Sequence, residues 1–226
     1  MSVLCSSMYH RRLCTLLCRQ VPVSCDSYDT LFDVSIPDRI QPGGKREDLF
    51  ATAHRCMHDV CWFKPARAYV LALFVDNAAM NRLKCRTEET DEIFTVDFPK
   101  SFLLFFASNK DSTHIRNGFD RSFRSYVKGR EIVCTRSTGK QCHCDECKMA
   151  EFLQVLDGHF DLKKNDFIRI SIKNNKNISV SFNDESDILI HNAESLVNWI
   201  HWLYVGLPPD ENARYKSIQQ KLRLPA

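Results

Sequence analysis

The chain has 226 residues, of which 44% are apolar and 26% charged, with a formal net charge of +3. That length buries one substantial core without needing a second domain, and the composition excludes a disordered or fibrous chain. The positive excess lies in residues 1–25, which hold Arg11, Arg12 and Arg19 and no Asp, Glu or Lys, so the body is formally neutral and gives no general footprint for nucleic acid.

Within that N-terminal piece, Val3, Leu4, Met8, Leu13, Leu16 and Leu17 gather on one helical side beside the three arginines. This is the pattern of a mitochondrial presequence over about residues 1–30, with a flexible tail on a cytoplasmic protein as the alternative. The apolar runs at Tyr69–Val75 and Phe102–Ala107 fall far short of the roughly 20 residues a membrane helix needs. Four of the eleven cysteines, Cys5, Cys14, Cys18 and Cys25, lie in the leader. The odd number left over favours a reduced compartment with free or metal-bound thiols.

A single domain is expected over 31–226. Leu31–Ile36 alternates as a strand ended by Pro37, and Gln41-Pro-Gly-Gly44 is a turn. Leu49, Phe50, Ala53, Met57 and Val60 recur near the helical repeat, which predicts a helix over Glu47–Val60. Pro65 separates it from a strand at Arg67–Val75. Ile93–Phe98 and the continuous apolar run Phe102–Ala107 read as strands, the second one central.

Helices follow over Thr113–Val127 and Met149–Leu156, separated by a polar, cysteine-rich insertion near 129–148. Asp166–Ile172 and Ile178–Phe182 form a hairpin around Lys173-Asn-Asn-Lys-Asn177, and Ile188–Ile190 adds a short strand. Ala193–Tyr204 is a helix that Gly206 ends, and Asn212–Leu222 forms a terminal one. The sum is an α+β fold, a mostly antiparallel sheet with helices gathered on one face.

The order and spacing of these segments resemble the chalcone isomerase family, in its non-plant chalcone isomerase-like branch. The similarity rests on Val34-Ser-Ile-Pro37 with Pro42-Gly43, on a leucine-containing helix leading to an arginine, and on Ala68-Tyr-Val-Leu-Ala-Leu-Phe-Val-Asp76. It continues through Asp166–Ile172, Ile178–Phe182, Leu196–Leu203 and Gly206-Leu-Pro-Pro209, covering about residues 33–223. The resemblance implies an open-faced β-sandwich with a cleft between sheet and helices. Its plant enzymes cyclise chalcones, its non-enzymatic branch includes fatty-acid-binding proteins, and some mitochondrial members are connected with haem.

On that register Arg55 matches the cleft arginine, although an ungapped alignment puts the position near Cys56–Met57. Tyr69 falls where catalytic members have threonine and fatty-acid-binding members have tyrosine. The enzymes' next tyrosine falls near Thr113–Ile115, their asparagine near Phe119–Asp120, and their later threonine or serine near Ala193–Glu194. The catalytic set is therefore incomplete.

Chemically, the Arg55 guanidinium can hold a carboxylate or propionate through two charge-assisted hydrogen bonds. Tyr69 can add a hydroxyl bond while its ring covers an apolar stem. The competing readings are an Arg55–Asp59 pair on a helix face and an ordinary sheet tyrosine. His54 and His58, four apart and near Cys61, are candidates for a haem or metal contact, and either Tyr69 or His54 could supply the haem contact. Cys134, Cys142, Cys144 and Cys147 could surround a structural Zn²⁺, with His143 as a substitute ligand. The alternatives are a cysteine-bearing surface insertion and, with Lys140 and Lys148 close by, redox chemistry. Asp157 and His159 are a further acid–base candidate.

The expected function is non-catalytic binding of a fatty acid or another acidic apolar ligand, haem included. An intramolecular lyase or isomerase of the chalcone isomerase type and a protein-interaction module using the Cys-rich insertion are the alternatives.

Overall fold

The structure, a computed structural model, describes residues 27–56, 62, 64, 67–79, 99–128, 145–183 and 185–204. Residues 1–26 of the predicted leader, the predicted Ile93–Phe98 strand and the predicted Asn212–Leu222 helix lie outside them, whereas Ser27–Asp29, inside the predicted leader, form a strand of the domain. A short hairpin opens the described chain, pairing β1 (Ser27–Asp29) with β2 (Val34–Ile36). β3 (Arg39–Ile40) follows, then a single turn at Pro42–Gly44 where Gly43 and Gly44 take φ of 59° and 78°. Left-handed backbone of this kind costs glycine nothing, which is why Gly-Gly occurs there.

The main strands are β4 (Glu47–Cys56), β5 (Arg67–Asp76) and β6 (Lys100–Phe106). A second small hairpin joins β7 (Lys110–Asp111) to β8 (Asp161–Leu162). Between them run α1 (Ser112–Val127), α2 (Asp145–Leu153) and a 3-10 turn at Gln154–Leu156. Asp111 caps α1, its carboxylate accepting from the Thr113 N–H at 2.8 Å. The chain closes with β9 (Phe167–Asn174), β10 (Asn177–Phe182), β11 (Ile188–Ile190) and α3 (Glu194–Tyr204). The Asn174 side chain accepts from the Lys176 and Asn177 N–H groups at 2.9 Å each and fixes the predicted hairpin turn.

Seven strands form one antiparallel sheet in the order β11-β10-β9-β6-β5-β4-β3. The continuous apolar run at β6 is central, as its sequence predicts, and every residue of the strand is buried. One prediction fails here. The segment read as a helix over Glu47–Val60 is the ten-residue strand β4 through Cys56. Its ladder to β5 skips a residue: Leu49 faces Phe74, Ala51 faces Leu73, and Phe50 is the bulged residue between them. The bulge puts Phe50, Ala51 and Ala53 on one side of the sheet and Leu49 on the other. Alternation broken in this way imitates helical spacing, and only the partner strands reveal it.

Helices α1, α2 and α3 pack on the face that carries Leu71, Leu73, Phe102, Leu104, Ile168 and Ile170. Trp199 of α3 is fully buried at the centre of that layer. Phe119, Phe123 and Phe152 meet its ring edge-on, at centroid distances of 6.1, 5.6 and 5.5 Å. Its indole N–H donates to the Ser122 Oγ at 3.2 Å. One residue of α3 thus contacts α1 and α2 together. On the opposite face, Phe32, Val34 and Ile36 cover Val70, Ala72, Phe74, Leu103 and Phe105. Trp199→Ala should lower unfolding free energy by about 3–5 kcal/mol. Urea unfolding checks this, and a loss below about 1 kcal/mol would show that Trp199 does not hold the helices together.

Candidate ligand-binding site

Arg55 and Tyr69 sit directly opposite each other across β4 and β5, and Tyr69 in turn faces Phe106 of β6. The pairing runs unbroken from Ala53–Leu71 to Arg55–Tyr69, so both side chains leave the sheet on its helix-covered face. Both are half-buried, and Tyr69 packs against the main core. Directly opposed residues in an antiparallel pair hold their Cβ atoms about 5 Å apart. A guanidinium and a phenol at that spacing can share one carboxylate while the neighbouring Phe106, Leu71 and Ala53 supply apolar surface. The helical spacing behind an Arg55–Asp59 pair is not formed, since Arg55 lies in a strand, and Asp59 is outside the described residues.

His54 goes the other way. It faces Val70, and its ring stacks on Phe32 at 4.6 Å on the outer face. Its Nε2 contacts the Asp29 Oδ2 at 2.5 Å, which ties the β1–β2 hairpin to the sheet. The sheet therefore separates His54 from Arg55 and Tyr69, and the three do not surround one ligand. The helical His54–His58 face is likewise not formed, because β4 is extended; His58 and Cys61 lie outside the described residues.

Of the four proposed zinc ligands, Cys134, Cys142 and Cys144 lie outside the described residues, as does His143. Cys147 falls on α2, which begins at Asp145, so the polar insertion ends earlier than predicted. Cys147 is disulfide-bonded, and so is Cys56. A sulfur bonded to sulfur is no thiolate ligand, which corrects the reading of Cys147 and of free thiols at these two positions. Among the described residues no group of three or more His, Cys, Asp or Glu is placed to hold a metal ion. Asp157 and His159 do not pair: Asp157 accepts from Arg116 at 2.6 Å, and His159 meets Glu185 at 3.1 Å.

Several buried ionisable groups went unforeseen. Lys100 is 1% exposed on the helix-covered face, opposite Val75 and Ile172. His201 of α3 lies near it, and burial, helped by the Lys100 charge, pushes its pKa down to about 3. Its imidazole is neutral at any physiological pH.

On the outer face a polar row crosses the sheet from Ser101 to Ser171 to Ser179, with Ser101 and Ser171 hydroxyls 2.8 Å apart. Beside it Arg169 bridges to Asp187 at 2.9 Å. Burial works to raise the Asp187 carboxyl, but bonds from Arg169 and Ser179 outweigh it and hold it below the usual range. Glu47 is 3% exposed, faces Asp76 across the ladder, and bonds Ser101. In sequence Glu47 stands among Lys45, Arg46 and Asp48 and looks like solvated surface. Nothing short of the strand pairing marks it as buried.

No family model matches the chain, and no curated protein matches it. A solved structure does match: an Arabidopsis thaliana fatty-acid binding protein superposes with a TM-score of 0.62 at 14% identity, over 88% of this chain and 98% of that one. The fold is the chalcone isomerase-like open-faced β-sandwich. Assignment to a non-plant branch of that family is overturned, because the matched protein comes from a plant and identity this low establishes shared shape alone. Among the described residues no helix is long and apolar enough to cross a membrane.

Glu47 yields a pH prediction. Burial first, then the facing Asp76 carboxylate, raises its pKa from 4.5 to about 7 against the pull of Ser101, Arg169 and Lys45. The folded state then holds this proton more tightly than the unfolded one. Stability is therefore greatest below the unfolded value and falls as pH rises through about 7, by about 3 kcal/mol in all. Urea titrations from pH 4.5 to 8 should show this slope in the wild type and its loss in Glu47→Gln. A wild-type curve that rises across the window would disprove the assignment.

Proposed function

We propose that this chain is a non-catalytic binder of a fatty acid or a similar apolar ligand with an acidic end. The observation that carries this reading is the face-to-face register of Arg55 and Tyr69 on the helix-covered side of the sheet. Arg55 anchors the carboxylate, Tyr69 donates a second hydrogen bond, and the acyl chain follows the apolar surface beside Phe106. Each methylene removed from water contributes about 0.8 kcal/mol, partly offset by the ordering of chain and side chains. Support also comes from the matched plant structure, itself described as a fatty-acid binding protein.

The isomerase alternative has less behind it. At the positions where the resemblance expects a polar catalytic set, Phe119 is 6% exposed and packs against Trp199, and Asp120 pairs with Arg124 at 2.7 Å. Ala193 is fully buried. A haem reading takes no support from His54, whose ring lies across the sheet. A mitochondrial location, in the matrix or associated with the inner membrane, and a zinc site in the insertion built without Cys147 are separate proposals, testable by mapping the mature N-terminus and by metal analysis of purified protein.

Calorimetric titration of delipidated protein with a long-chain fatty acid tests the binding reading. Arg55→Ala should weaken binding roughly 10- to 100-fold, the range expected for hydrogen bonds to a charged group. Tyr69→Phe should cost roughly 2- to 10-fold. His54→Ala, on the opposite face, should leave affinity within about twofold. If the folded wild type shows no saturable uptake, or if His54→Ala and Arg55→Ala weaken binding equally, the site is elsewhere.

A further inference from the structure

Among the described residues β3 is one edge of the large sheet, and it meets β4 at only two pairs, Arg39 opposite Asp48 and Ile40 opposite Glu47. One further bond ties this edge down: the Leu49 N–H donates to the Asp38 carbonyl at 2.8 Å. Directly opposed residues leave a sheet on the same face, about 5 Å apart at Cβ. Glu47 therefore has Ile40 on one side and Asp76 on the other. Ile40 and Leu49 both pack on the outer core. Glu47 is 3% exposed, and its Oε2 meets no hydrogen-bond partner among the described residues. A carboxyl placed in this way is stable as the neutral acid and costly as the anion.

The charges around it do not offset that cost. β5 supplies Asp76, of like sign, whose Oδ1 accepts from the Ala79 N–H at 2.5 Å. On the β3 side Arg39 is bound to Asp48 at 2.9 Å, and Arg46 reaches the same carboxylate at 3.1 Å. Asp38, immediately before Arg39, is a further carboxylate there. Arg169 of β9 is bound to Asp187, and Lys45 is exposed to solvent. From β6 comes only the Ser101 hydroxyl.

We infer that β3 is a proton-operated edge, seated on β4 while Glu47 is protonated and lifted from it when Glu47 ionises. The anion needs water, and the boundary that yields is the one held by two pairs and a single added bond. The Pro42–Gly44 turn is the joint: among the described residues nothing lies within 4 Å of a Cβ placed at Gly43 or Gly44. One proton passes from Glu47 to solvent, and the rest of the sheet stays folded. Seating holds that proton at a pKa of about 7, against 4.5 once the carboxyl is hydrated. Seating is thus fully favoured below the lower value and weakens as pH rises through the upper one. The device requires no bound ligand.

Amide hydrogen exchange of the full-length chain, resolved by NMR and divided by intrinsic rates, tests it. Protection of the Leu49 amide should fall roughly tenfold between about pH 6 and about pH 8. Because the opening is local, its rate should be insensitive to low concentrations of urea. Glu47→Gln, neutral at every pH, should hold Leu49 protection constant across the interval. Asp76→Asn removes the facing charge but keeps an oxygen for the Ala79 N–H, and should move the fall to lower pH. Wild-type protection that does not change with pH would overturn the inference. So would a fall that persists in Glu47→Gln, or one that Asp76→Asn leaves in place. Exchange at Leu49 that climbs steeply with urea would also overturn it, since β3 would then lift only when the whole domain unfolds.

Discussion

The antiparallel register of β4 against β5, with its single bulge at Phe50, is the constraint on which the rest depends. Side chains alternate across a strand, so one extra residue exchanges the two faces for everything that follows it. Because of that exchange Ala51, Ala53 and Arg55 look toward the helices, whereas Thr52 and His54 look away. The same pairing sets Glu47 opposite Asp76 at the other end of the strand. The Arg55 guanidinium and a proton-sensitive carboxyl thus share one strand but lie on opposite faces.

The helix layer answers to the same sheet. Trp199 sits over the central strands and collects rings from α1 and α2, so the three helices close on a single aromatic contact point. Packing of that density leaves little play in the middle of the layer. At the sheet end holding Arg55 and Tyr69 this face carries half-buried side chains, beside the fully buried Phe106. Lys100 and His201 occupy the other end of the same face, about 20 Å along β6 by strand rise, too far to share a headgroup with Arg55.

Much of the architecture was legible in the chain. The apolar run of β6, the Asn-rich hairpin turn between β9 and β10, and the 3.6-residue stripes of α1 and α3 each carry a local signature that survives folding. β4 does not, because a bulged strand has no local periodicity of its own; only its neighbours define which residues face inward. Arg55 and Tyr69 stand out in the sequence only through family resemblance, and their opposition follows from a ladder that no local reading of Glu47–Val60 contains. His54 was misplaced for the same reason. The buried charges were invisible because Glu47 and Lys100 are residue types normally solvated, and their burial comes from strands distant in sequence.

The serine row on the outer face has a consequence for how the strands can vary. Ser101 is fully buried, and Ser171 and Ser179 nearly so. Their hydroxyls satisfy one another and Asp187 where water does not reach. Replacing Ser101 alone leaves the Ser171 hydroxyl without this partner, whereas exchanging both for apolar residues of like shape removes the need for the bond. Positions 70 residues apart in the chain are thereby tied to change together.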